Sequence, residues 1–137
     1  MRKPVFLTAV LLLLLSSCGE KVEMDPEMYD SHEISLMVKG KKVFNVAEGD
    51  RQLAFNPDLN QFRAGNDDMS SYFVLTCREL PRQEGQEVTA DLRWTTGGNT
   101  VKSQKNILFR VEKYESTGLV WLWCATDKTG AVVRILD

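Results

Sequence analysis

The 137-residue chain holds one histidine, three cysteines and four prolines. A single histidine excludes a multi-histidine metal site. No two cysteines stand in a CxxC spacing, which argues against a dithiol redox centre. No glycine-rich phosphate loop such as GxxxxGK is present. Neither sign of charge is in excess: 17 Lys and Arg face 19 Asp and Glu, for a net charge of −2. That excludes the ordinary strongly basic nucleic-acid binder. At 43% hydrophobic residues the chain is too apolar to be mostly disordered. A membrane-spanning helix needs about 20 apolar residues. The run from Val5 to Leu15 is shorter than that and is interrupted by Thr8.

What is present at the start is a targeting pattern. Arg2 and Lys3 form a short positive region ahead of the apolar run, and Ser16 and Ser17 follow it. This is the layout of a secretory signal peptide. The next residue is Cys18, and Leu15-Ser16-Ser17-Cys18 resembles the lipobox of bacterial lipoproteins. The resemblance implies a diacylglycerol on the Cys18 thiol and cleavage before it. It also implies a membrane partner held through the anchor. Each buried methylene contributes about 0.8 kcal/mol, and two or more acyl chains are needed for stable attachment. Gly19 stands where an inner-membrane lipoprotein carries Asp, so the resemblance favours the outer membrane. Glu20, Glu23 and Asp25 partly match the acidic start of surface-exported lipoproteins in Bacteroidota-type envelopes. Surface and periplasmic faces both stay open.

Residues 20–33 carry Glu20, Glu23, Asp25, Glu27, Asp30 and Glu33 against the single base Lys21. With Pro26 and little apolar periodicity, this stretch reads as a solvated acidic tether. Its acids lack the fixing glycine of a calcium loop. His32, the lone histidine, falls within it and reads as a chance polar residue. The expected organisation is therefore signal peptide 1–17, lipidated Cys18 with flexible tether 18–33, and one domain over 34–137.

The domain itself is close to neutral and reads as strand after strand. Val88, Ala90, Leu92 and Trp94 alternate with Thr89, Asp91, Arg93 and Thr95, the period of a half-buried strand. Tyr72 to Cys77 is rich in aromatic and β-branched residues. Gly40-Lys41, Glu48-Gly49-Asp50, Gly65-Asn66-Asp67-Asp68, Thr96-Gly97-Gly98-Asn99 and Ser116-Thr117-Gly118 supply turns. About eight or nine short strands with short connections predict an all-β fold of antiparallel neighbours. A sandwich and an up-and-down, lipocalin-like barrel share this pattern.

Cys77 and Cys124 each share a strand face with apolar residues. An oxidising envelope would permit a disulfide between them; two separate buried thiols fit equally well. Trp121 and Trp123 share one face of a strand, with Val120, Leu122 and Cys124 on the other. They read either as core or, with Trp94, as an exposed aromatic platform for a glycan or protein partner. Asp67, Asp68, Asp91 and Glu112 are the carboxylates weighed for catalysis. The first two fit a turn and the others an outward phase, so no catalytic residue, cofactor or metal is expected. The chain resembles the small single-domain β lipoproteins of Bacteroidota. The expectation is a non-enzymatic binding module of the envelope. A carrier of a small apolar ligand and an inhibitor of a cell-wall-degrading enzyme are the alternatives.

Overall fold

The computed structural model describes residues 23–45, 52–97 and 100–136. The signal peptide, Cys18, Glu20, Lys21, Glu48-Gly49-Asp50 and Gly98-Asn99 lie outside the described residues. The fold is all-β. Among the described residues nine strands follow in order: β1 Ser35–Val38, β2 Lys41–Asn45, β3 Gln52–Asn56, β4 Gln61–Gly65, β5 Tyr72–Cys77, β6 Glu87–Thr95, β7 Lys102–Tyr114, β8 Leu119–Cys124 and β9 Thr129–Arg134. They form one antiparallel sheet in the order β2-β1-β9-β8-β7-β6-β5-β4-β3. Every strand pairs with its neighbour in sequence except β2 with β3. Those two are the free edges, while β1 pairs with β9.

The parity of this arrangement matters. Each of the eight ladders reverses direction, so β2 and β3 run parallel to each other. The chain must return from one end of the sheet to the other between Asn45 and Gln52. At most about 3.6 Å per residue, that link reaches roughly 25 Å. So short a return forces the sheet to curl until its two edges lie on the same side. Phe44 of β2 and Phe73 of β5 then meet edge-to-face across the interior, with ring centroids 5.3 Å apart.

Residues opposite each other on a ladder share a face. The inner face carries Phe62, Ala64, Phe73, Leu75, Val88, Ala90, Leu92, Ile107, Phe109, Val111, Val120, Leu122, Ala131 and Val133, all buried. The gap between Leu53, Phe62 and Ala64 on one side and Ile34 and Val133 on the other holds about 10 Å³, room for no more than a water. The turn from β1 to β2 is Lys39-Gly40, one residue earlier than the spacing suggests. Both residues have positive φ, 51° and 83°, the pairing of a type I′ turn that matches strand twist.

Two segments differ from expectation. The alternation at Ile107 places a strand from there onward, but β7 begins at Lys102. Its first residues are polar on both faces, because the inner side there opens to solvent. The tether reading of 18–33 also needs correction over its described part. Asp25 accepts from the Glu27 amide and Pro26 opens a short helix, α1, Pro26–Tyr29. Met24 and Met28 on this segment are buried in the same core as the sheet. A solvated tether is excluded there by two thioethers that water does not reach.

Candidate functional site

Trp94, Trp121 and Trp123 do not form one platform. Trp94 lies opposite Phe73 and faces inward, whereas Trp121 and Trp123 lie opposite Lys113 and Arg110 and face outward. The outer pair is covered rather than exposed. Trp121 is fully buried, and its indole N–H donates to the Ser31 carbonyl at 3.0 Å. His32 meets the Trp121 ring edge-on at 5.5 Å, and its Nε2 stands 3.3 Å from Glu115 Oε2. Lys113 Nζ sits 4.2 Å from the Tyr29 ring centroid and 4.3 Å from that of Trp121, and donates to the Tyr29 carbonyl. The exposed-platform expectation fails for Trp121 because the N-terminal segment already covers it. Trp123 is buried as well, with Nε1 unpartnered among the described residues.

The candidate disulfide is not formed: Cys77 and Cys124 are both free and buried. Topology explains this. β5 and β8 are three ladders apart and so run in opposite directions, and each cysteine is the last residue of its strand. Traced through the ladders, Cys77 is level with Ile107 of β7 and Cys124 with Phe109 of the same strand, so what separates them is the width of three ladders, about 14 Å at roughly 4.8 Å each, too far for a bridge. Burial pushes the Cys77 thiol up to about 12, which keeps it out of thiolate chemistry.

The carboxylates weighed for catalysis are dispersed. Asp68 Oδ1 accepts from the Ser70 amide at 3.0 Å, and its hydrogen bonds with Ser70 hold its carboxyl below the ordinary range. Asp67, in the same turn, offers its carbonyl to Gln52 Nε2. Asp91 pins a bulge in which Lys105 and Asn106 oppose it. Its Oδ1 accepts from the Asn106 amide at 2.9 Å and from Arg78 at 3.4 Å. Glu112 is the extra residue of a second bulge, opposite β8. Its side chain is only 5% exposed. Burial is the main cause that raises its pKa; Arg110 opposes this, and Glu23 and Glu84 add to it. A raised pKa means that folding takes up a proton. This contribution stabilises the fold at acid pH and is lost as pH rises through the carboxyl's titration. Glu112→Gln is therefore expected to raise the melting temperature at pH 7 and to leave it unchanged well below the ordinary carboxylate range. Thermal unfolding at the two pH values checks this. Among the described residues no group of three His, Cys, Asp or Glu could hold a metal.

One place does bring polar and aromatic groups together around open space. At the end of the sheet where β6 stops and β7 starts, the inner face opens into a groove of about 720 Å³. Trp94, Val38 and Val43 give it an apolar lining, and Lys39, Lys41, Lys102, Ser103 and Gln104 give it polar walls. Each wall is held by the fold. Lys41 lies opposite Val38 on the β1–β2 ladder, and Lys102 lies opposite Trp94 on the β6–β7 ladder. The Lys39-Gly40 turn is tied to the β8–β9 turn. The Gly40 amide donates to the Lys128 carbonyl at 2.8 Å, and the Lys39 amide donates to Thr129 Oγ1 at 3.2 Å. Thr95 Oγ1 donates to the Thr100 carbonyl at 2.8 Å, which anchors the start of β7. Gln104 Nε2 donates to Asp127 Oδ2 at 2.7 Å. None of the four ion pairs among the described residues uses Lys39, Lys41 or Lys102.

Of these residues, the sequence reading singled out only Trp94. Strict alternation back from Ile107 would put Lys105, Ser103 and Val101 inward. Lys102 and Gln104 face inward only because the bulge at Lys105 and Asn106 shifts the phase of β7, and the sequence pattern does not announce that bulge. Nothing in the local pattern of Lys39-Gly40-Lys41 says that its turn closes over the same space.

No protein-family model matches this chain, and no curated protein or solved structure matches it either.

Proposed function

We propose that the chain is an envelope lipoprotein, anchored through Cys18 in the outer membrane, that works as a non-enzymatic binding module. The lipobox-like Leu15-Ser16-Ser17-Cys18 supports the anchor. The observation that carries the binding role is the open groove at the mouth of the sheet, where Trp94 meets five polar side chains from the β1–β2 turn and the strands β2 and β7. Barrel mouths are common ligand sites because they combine apolar area with a few fixed polar groups. A flat indole at the base suits a sugar ring or an aromatic side chain of a partner. The packed interior below favours ligands taken at the mouth over ligands swallowed whole. A carrier of a small amphiphile at this same mouth is the second reading.

The test uses the full chain in detergent. Water-soluble cell-wall and capsule oligosaccharides and aromatic peptides are titrated while tryptophan fluorescence is followed. Trp94 lines the groove, whereas Trp121, covered by the N-terminal segment, and Trp123 face the outer side of the sheet, so a response from ligand contact belongs to Trp94. At least one ligand class is expected to shift the emission, and Trp94→Phe is expected to abolish that shift. A shift that survives Trp94→Phe, or none across both panels, overturns the reading of the mouth. Release from the membrane fraction on Cys18→Ala is the matching result for the anchor.

A further inference from the structure

We infer that the mouth is selective for negatively charged ligands, specifically organic anions that carry a ring beside a carboxylate, sulfate or phosphate. The inference rests on the proposed binding role of the mouth and specifies its chemistry. Three lysines, Lys39, Lys41 and Lys102, line one groove around one indole. They come from the β1–β2 turn, the start of β2 and the start of β7, three places the fold brings together across the seam. Their backbones are fixed by the ladders and by the Gly40–Lys128 and Lys39–Thr129 hydrogen bonds, so their convergence is built in rather than incidental.

The setting strengthens the effect of these charges. A concave site with an apolar wall focuses the field of its lysines more than a flat surface does. Asp127 stands on the β8–β9 turn and is engaged by Gln104, so that acid is directed to an amide and not to a lysine. The domain as a whole is near neutral, so this local excess of positive charge is not a by-product of a basic chain. An anion placed among the three ammonium groups would leave its ring over Trp94, Val38 and Val43. A ligand with only the ring would use the apolar wall and leave the lysines solvated. A bare ion would use the lysines and leave the wall wet.

The test compares a matched pair of water-soluble probes, 4-nitrophenyl β-glucuronide and 4-nitrophenyl β-glucoside. They share both rings and differ in one carboxylate. Binding to the full chain in detergent is read by calorimetry and by quenching of Trp94. The glucuronide is expected to bind at least tenfold more tightly than the glucoside at low salt. Raising sodium chloride to 0.5 M, where the screening length falls to about 4 Å, is expected to erase most of that preference. The triple substitution Lys39→Gln, Lys41→Gln and Lys102→Gln is expected to weaken the glucuronide about tenfold and leave the glucoside within twofold. Circular dichroism confirms that the variant folds, and the salt titration of the unaltered chain tests the same point without it. Inorganic phosphate alone is expected to compete only weakly. Equal affinity for the two probes, both lost in Trp94→Phe, overturns the charge selectivity while the mouth remains a binding site. Binding of neither probe, together with empty glycan and peptide panels, overturns both.

Discussion

A chain shortened to begin at Ile34 is expected to lose about 5 kcal/mol of folding stability. Burying one methionine side chain is worth about 1.5–3 kcal/mol, and both Met24 and Met28 leave the core when the segment is removed. Trp121 then becomes exposed on its outer side and its indole N–H loses the Ser31 carbonyl. Lys113 loses both the Tyr29 ring and the Tyr29 carbonyl. Small domains are stable by only about 5–15 kcal/mol, so the shortened protein should be unfolded or close to it near 37 °C. Urea unfolding followed by tryptophan emission measures the loss. Met28→Ala in the full chain isolates the packing part and should cost about 2–5 kcal/mol. An unchanged midpoint on truncation would restore residues 23–33 to the role of a tether.

Phe73→Ala should cost about 3–5 kcal/mol, the range for a large aromatic removed from a packed interior. Phe73 is fully buried and sits between Ala64 and Trp94 on its ladders. It also touches Phe44 on the far side of the curl. That contact joins β5 to the edge strand β2, which pairs only with β1. The substitution should therefore loosen the β1–β2 hairpin more than its own strand. Amide exchange along Lys41–Asn45 should speed up more than along Tyr72–Cys77. Phe44→Ala should reproduce the local effect, with a smaller global cost because Phe44 lies on an edge.

The strands with strict alternation were legible in the sequence. Val88, Ala90, Leu92 and Trp94 face inward as their period requires. The split of β8 into Trp121 and Trp123 on one face and Val120, Leu122 and Cys124 on the other is also as read. Side-chain phase is a local property, and it survives into the fold. What covers each face is not local. The six acids around Met24 and Met28 resemble a solvated spacer, and two methionines at positions i and i+4 are a weak signal beside them. The partnership of β1 with β9 has no local signature at all, and neither does the placing of the cysteines three ladders apart. Both follow from the count and direction of strands, which no single segment carries. The mouth was half legible: its aromatic residue stood out, while its lysines became meaningful only once the curl brought a turn and two strand starts together.

The ladder between β1 and β9 also sets the order of events in folding. Ser35 is matched to Val132, almost a hundred positions later. The other ladders join consecutive strands, so a hairpin-by-hairpin meander from β3 to β9 can grow without delay. The β1–β2 hairpin, and the aromatic cover that precedes it, have no surface to settle on until β8 and β9 exist. Contacts of such long sequence separation slow folding, because the loop entropy is spent before they form. A chain made or threaded from its N-terminus thus carries one edge of its first strand unpaired until its last strand arrives. The last strand is the piece that joins the first hairpin to the rest of the sheet.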